Sequence, residues 1–212
     1  MARSVGVEAP RILQGPCPAV SIDWDALPNR FVLKPDWESS ANGVFVLSRR
    51  GDAFYDVLGC RTLVRSAILE DLIARGPVIA EEVVGDTEQV PDDWKFYAFQ
   101  GRLELVLQLR RSPTRRYRYY LPDWTDAGPV HYGRKPDPHL APPLHGREQL
   151  IKAAQRLSTA VEVPFVRVDL YQRDDGSVLF GELTPRPGVG HRFRRPIDTS
   201  MGEAWETAGV AP

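Results

Sequence analysis

The sequence predicts an α+β fold built on antiparallel sheets, and three observations predict it. Apolar runs with a period of two come in close pairs, 31–33 with 44–47, 94–99 with 103–109, and 166–171 with 178–183, which is how hairpins read. Two stretches, 61–75 and 147–160, carry apolar residues at helical spacing instead. The helices do not alternate one for one with the strands, as a doubly wound parallel sheet would require.

Composition bounds the rest. A chain of 212 residues with 42% hydrophobic and 26% charged residues has material for one globular domain or two small lobes. A net charge of -1 gives no field that would draw nucleic acid or a membrane surface, so neither is expected as a partner. Cys17 and Cys60 are too few for a disulfide framework. No apolar run has the length of a signal peptide or a membrane span, and the chain reads as cytoplasmic. Of the 27 basic residues four are lysines, which singles out Lys34, Lys95, Lys135 and Lys152.

Taken in order, residues 1–26 hold Pro10, Pro16 and Pro18 and read as an irregular lead-in, with one helical turn near 23–27 stopped by Pro28. A strand at 31–33 ends on Lys34-Pro35. The polar loop 36–43 follows, and a strand resumes at 44–47, closing a hairpin. Leu63, Val64, Ala67, Ile68, Leu69, Leu72 and Ile73 put one face of a helix on 61–75, which Gly76-Pro77 ends. A strand over 78–84 carries Glu81 and Glu82. The hairpin 94–109 leads into five arginines within 110–118, interleaved with tyrosines. A solvated strand face explains that run better than a groove for nucleic acid, given the overall charge. A proline-bearing loop spans 122–143, and its His131 and His139, with His145 just after, lack metal-ligand spacing. The helix 147–160 presents Leu150, Ile151, Ala154 and Leu157 on one face, and a weak helix ends the chain near 200–207. The domain reading is a lead-in over 1–26, a small lobe over 27–80 and a larger lobe over 81–212.

The chain turns on VRVDLYQRDDGSVLFGELTPRPG, residues 166–188. Asp174-Asp175-Gly176-Ser177 supplies the turn of a hairpin. Asp169 and Glu182 interrupt its apolar strands, and a charge there is costly unless paired or bound to a cation. Pairing Tyr171 near Val178 puts the two acids on neighbouring rungs, able to face one site. They suit Mg²⁺, which takes one or two carboxylates and leaves room for phosphate oxygens. The alternative is neutralisation by Arg167 or Arg186 in structural ion pairs.

FVLKP with its Ser/Gly loop, then EEVVGD, PDDWKFYAFQG and FVRVDLYQRDDGSVLFGELTPRPG, resemble in that order the ATP-grasp family, most closely its teichuronopeptide-biosynthesis (TupA-like) branch. The resemblance runs from about 27 to 202. It implies an ATP-grasp fold of two α+β lobes holding ATP and Mg²⁺ (or Mn²⁺) between them. It further implies a ligase joining a carboxylate to an amine through an acyl-phosphate, in polysaccharide, surface-polymer or natural-product biosynthesis, with small-molecule or glycan substrates. A non-catalytic nucleotide-binding or scaffold protein and a phosphotransferase are the alternatives within the family.

Residue by residue, Lys34 corresponds to the lysine on the ATP phosphates, and Ser39, Ser40 and Gly43 to the phosphate-covering loop. Glu81, Glu82, Val83 and Val84 correspond to the segment that holds adenine and ribose, and Lys95 to a basic residue of the nucleotide cleft. Arg167 corresponds to the group that holds the γ-phosphate or acyl-phosphate, and Asp169, Glu182 and Thr184 to the metal ligands. Thr184 stands where the family usually has asparagine. Arg186, His191, Arg192, Arg194 and Arg195 read as a basic surface. The family carries a preceding domain, whereas 33 residues precede Lys34 here. The expected fold therefore lacks most of the usual N-terminal domain: the chain is a shortened enzyme, a protein partner or homodimer supplies those elements, or the recorded start is too late.

Overall fold

The computed structural model describes residues 1–37, 42–85, 89–132, 135–187 and 192–209. Ser39 and Ser40, as well as His191, lie outside them. The chain forms two compact units, Pro10–Val90 with Arg111–Thr114, and Met1–Ala9 with Pro91–Arg110 and Arg115–Pro212.

The first unit is a six-stranded antiparallel sheet. Its strands are β1 (Ile12–Pro18), β2 (Arg30–Pro35), β3 (Phe45–Arg50), β4 (Ala53–Asp56), β5 (Arg61–Val64) and β6 (Pro77–Glu81), in the order β1-β6-β2-β3-β4-β5. Helix α1 (Arg65–Ile73) covers one face. Strand alternation sorts the residues: Phe31, Leu33, Phe45, Leu47, Val78 and Ala80 meet Ile68 and Leu72 in a closed core, while Lys34 falls on the opposite face. Side chains of this size each contribute about 1.5–3 kcal/mol when fully buried.

Three expectations need correction here. The lead-in is not irregular throughout, because residues 12–18 pair with β6, a partner some sixty residues away that no local pattern announces. The reading of 61–75 as one helix holds only from Arg65. Arg61-Thr62-Leu63-Val64 is a strand paired with β4, which the sequence pattern did not reveal. The strand carrying Glu81 stops at that residue rather than at Val84.

The second unit is a five-stranded antiparallel sheet in the order β11-β10-β7-β8-β9. Its strands are β7 (Asp93–Phe99), β8 (Arg102–Arg110), β9 (Arg116–Tyr120), β10 (Val166–Gln172) and β11 (Val178–Thr184). Helix α2 (Arg147–Thr159) seals one face, with Leu150, Ala154 and Leu157 on Phe96, Val168 and Leu170. On the other face Tyr97, Leu105, Tyr119 and Val130 pack with Phe193 and with Ile197 and Met201 of α3 (Arg195–Ala208). That last helix starts five residues earlier than its sequence pattern suggested, with a proline in its first turn, where the missing N–H costs nothing. Both faces of β7 are covered and all seven of its residues are buried, so any charge on it must be paired.

The five-arginine run is largely accounted for. Arg110 pairs with Asp92 at 2.8 Å, Arg116 with Asp137 at 3.5 Å and Arg118 with Asp126 at 2.5 Å. Arg118 also donates to the carbonyls of Pro138 and Leu140, fastening the long loop to β9.

One local departure sets the site. Tyr171 faces Leu179 and Leu170 faces Phe180, but Asp169 faces Glu182, so Gly181 is an extra residue in a β-bulge. The bulge turns the expected neighbouring rungs into a direct pair, and directly opposed residues project from the same face. A Cβ at 181 would stand 3.0 Å from the Asp169 carbonyl and 3.1 Å from the Tyr171 ring. We predict that Gly181→Val lowers the thermal midpoint by several degrees, at a cost of about 2 kcal/mol, and weakens any ligand held by Asp169 and Glu182. A midpoint equal to wild type would contradict the close packing.

Candidate functional site

The site of interest is a row of side chains across three neighbouring strands. Glu182 on β11 faces Asp169 on β10, which faces Lys95 on β7. Two residues along, Thr184 faces Arg167, which faces Tyr97. Positions two apart on a strand share a face, so all six side chains project the same way.

The contacts are dense. Arg167 donates to Asp169 through Nε at 2.6 Å and Nη2 at 2.7 Å, a two-point fork that fits a carboxylate. Arg167 Nη2 also reaches Glu182 Oε1 at 3.1 Å and Thr184 Oγ1 at 3.0 Å, and the Thr184 hydroxyl donates to Glu182 at 3.1 Å. Lys95 Nζ donates to Asp169 Oδ2 and lies 3.5 Å from Asp93 Oδ2. Asp169, Lys95 and Asp93 are 2–5% exposed, whereas the Glu182 side chain is 47% exposed. The row therefore runs from a buried ion cluster to a carboxylate open to ligand.

Electrostatics separate the two acids. Burial pushes the Asp169 carboxyl up from its ordinary value, against the pull of Lys95 and Arg167. At Glu182 burial also opposes ionisation, but hydrogen bonding with Asp169, the Lys95 charge and the Thr184 hydroxyl hold the carboxyl below its usual range. Burial works against the Arg167 charge, and the hydrogen bonds and charge of Asp169 outweigh it and raise its pKa. Adjacent acids pushed in opposite directions are a mark of functional sites.

The donor set toward a cation is all oxygen, from Asp169, Glu182 and Thr184, which is the chemistry of Mg²⁺ or Mn²⁺. Asp169 already spends its oxygens on Lys95 and Arg167. Among the described residues no group of three or more His, Cys, Asp and Glu side chains is placed to hold a metal ion unaided. The residues fit a hard cation that brings most of its ligands as phosphate oxygens and water.

Other expected site residues lie in the first unit. Lys34 sits on the sheet face away from the core, and its Nζ lies 2.5 Å from Glu81 Oε1. Glu81 thus meets Lys34 in this structure. The Glu82 backbone N–H donates to the Arg11 carbonyl at 3.0 Å, and its carboxylate lies 3.8 Å from Arg11. Val84 is buried and Val83 half-buried. Gly43 has φ 67°, where a side chain is strained, and a Cβ there would displace the Arg75 side chain and press on Pro35 at 3.1 Å.

Two buried groups escaped the sequence reading. Asp93 stands inside the PDDWKFYAFQG run without an assigned role, and its position two residues before Lys95 was the available signal. His131, read as a loop residue, is buried, stacks on Phe193 at 4.6 Å, and bonds the Tyr119 hydroxyl at 2.9 Å and the Arg192 carbonyl at 3.2 Å.

Comparison with known proteins now decides the family. The family model described as TupA-like ATPgrasp matches residues 18–206. The chain belongs to the TupA-like ATP-grasp family. Its fold is similar to that of the VanG D-Ala:D-Ser ligase from Enterococcus faecalis, with 14% identity, a TM-score of 0.61, and coverage of 98% of this chain and 57% of that one. It is similar to D-alanine-D-alanine ligase from Helicobacter pylori at 15% identity and a TM-score of 0.57, covering 100% of this chain and 58% of that one. The Bacillus anthracis D-alanine–D-alanine ligase, solved in complex with ATP, gives 14% identity and a TM-score of 0.53, covering 99% and 59%. At these identities the likeness concerns the fold of this ATP-grasp chain, which spans under three fifths of the length of each of these three ligases. No curated protein matches the sequence. Among the described residues no helix is long and apolar enough to cross a membrane.

Proposed function

We propose that this ATP-grasp chain is an ATP-dependent carboxylate–amine ligase. The observation that carries the reading is the convergence of Lys95, Arg167, Asp169, Glu182 and Thr184 on one face of β7, β10 and β11. The family match and the ligase folds around it support the same reaction class.

A carboxylate is a poor electrophile, and phosphorylation gives it a leaving group that an amine can displace. The protein's part is to place the reactants and stabilise phosphate charge. Arg167, anchored through Nε and Nη2 by Asp169, presents Nη1 to the γ-phosphate or acyl-phosphate oxygens. Lys95 supplies further positive charge to phosphates; in the other unit Lys34, held by Glu81, corresponds to the family's phosphate lysine. Ser39, Ser40 and Gly43 cover the phosphates, and the 82–84 backbone and Val83 meet the base. Glu182, assisted by Asp169 and Thr184, would hold Mg²⁺, which when bound shields the phosphate charge. The acid and amine are small molecules or glycan groups of a surface-polymer or natural-product pathway.

ADP release measured over a matrix of carboxylates and amines tests this. Release that needs both a carboxylate and an amine is the expected result. A stable phosphorylated product formed without amine would make the chain a phosphotransferase. Nucleotide binding with no turnover on any pair would make it a non-catalytic binding protein.

A further inference from the structure

Asp93 is a carboxylate that the ligase reading does not use. It is 2% exposed on the first position of β7, and a buried carboxylate is destabilising without a partner. Its side chain shares a face with Lys95, and the two lie 3.5 Å apart. Lys95 is thus shared by two buried acids, Asp93 on its own strand and Asp169 on the next.

The charges say what the sharing does. Asp169 already holds Arg167 through a two-point fork, so it does not need Lys95 for neutrality. Asp93 balances the second cation. The four groups, two buried acids, buried Lys95 and partly buried Arg167, then sum to zero, and Glu182 at the exposed end carries the excess negative charge. Without Asp93 the same cluster would carry one positive charge, which Glu182 would cancel, leaving the row neutral and a poorer site for a divalent cation. Asp93 also offers Lys95 a second resting place, so that Asp169 can give up that contact.

We propose that Asp93 is a positioning residue that acts through Lys95, fixing its ammonium and keeping the Glu182 end of the row negative. The inference rests on the ligase reading for its ligand, Mg·ATP, and on the Asp93–Lys95 contact for its physics.

Two readouts on the full chain test it. In thermal unfolding, Asp93→Asn, Lys95→Met and the double variant form a cycle, with coupled residues giving a double variant less damaged than the sum. Calorimetric titration with Mg·ATP, run well below every midpoint, reads affinity. Asp93→Asn should weaken binding roughly tenfold, and Asp93→Glu should restore most of it. Asp56→Asn, which removes another buried carboxylate in the first unit, should lower the midpoint and leave affinity unchanged. Additive midpoint losses, or wild-type affinity in a folded Asp93→Asn protein, overturn the proposal while leaving the ligase reading intact. Absence of Mg·ATP binding by the wild type overturns the reading and the proposal together. Should Lys95→Met fail to fold, Lys95→Gln, which removes the charge and keeps a polar end for the buried acids, takes its place in the cycle.

Discussion

Lys95→Met should be among the most destabilising single changes in the second unit. It leaves Asp93 and Asp169, both nearly inaccessible, with Arg167 as the remaining cation of the row. Breaking a buried ion pair by removing one partner costs about 3–5 kcal/mol, because the other charge stays buried. For a chain of this size the thermal midpoint should fall by roughly 10 °C. The sign of the pH dependence follows from the acids. Losing a cation raises the folded pKa of Asp169, which burial already pushes up. The variant's deficit should therefore shrink as pH falls and a neutral Asp169 needs no counter-ion. Unfolding followed by circular dichroism at several pH values checks both parts. A midpoint unchanged at neutral pH would contradict the buried cluster.

Glu182→Gln should do the opposite, sparing stability and removing function. Its side chain is half exposed, so the isosteric amide should shift stability by less than about 1 kcal/mol. Gln still offers an oxygen to Arg167 and Thr184 but no negative charge to a cation. If Glu182 holds the metal that accompanies the phosphates, kcat/KM should fall at least about 100-fold, or about 2.7 kcal/mol of transition-state stabilisation. Asp175→Asn, on the exposed turn of the same hairpin, should leave the rate unchanged. Steady-state ADP release by the three proteins decides it, and a Glu182→Gln rate within threefold of wild type would remove Glu182 from the site.

Much of this site was legible in the sequence because strand alternation is a strong code. Asp169 and Glu182 stood out as charges inside apolar runs, but they share a face only through the bulge, because strict alternation from the observed Tyr171–Leu179 pair would point them to opposite sides. Arg167 followed, two positions from Asp169 on the same strand. The bulge at Gly181 was not legible, since a glycine in a strand pattern does not say which rung it displaces. Long-range pairing was the other limit. Nothing near residues 12–18 announces β6, and β4 and β5 are four residues each, too short to show a period. Asp93 was missed because an acid just before an apolar run, after Pro91 and Asp92, interrupts no alternation. Its burial comes from the faces packed on β7, which only the assembled sheet supplies. The Lys34–Glu81 pair arises the same way, from strands β2 and β6 more than forty residues apart in sequence.

The central claim is that the face bearing Glu182, Asp169 and Lys95 belongs to a working nucleotide site. Thermal unfolding of the 212-residue chain with and without Mg·ATP, beside Glu182→Gln, tests it most directly. At ligand about 100-fold above its dissociation constant, binding to the native state adds roughly 2.7 kcal/mol. The midpoint of the wild type should then rise by about 5–10 °C. The account predicts that rise, its dependence on Mg²⁺, and its loss in Glu182→Gln. A folded wild type with no shift, or an equal shift in the variant, would contradict it.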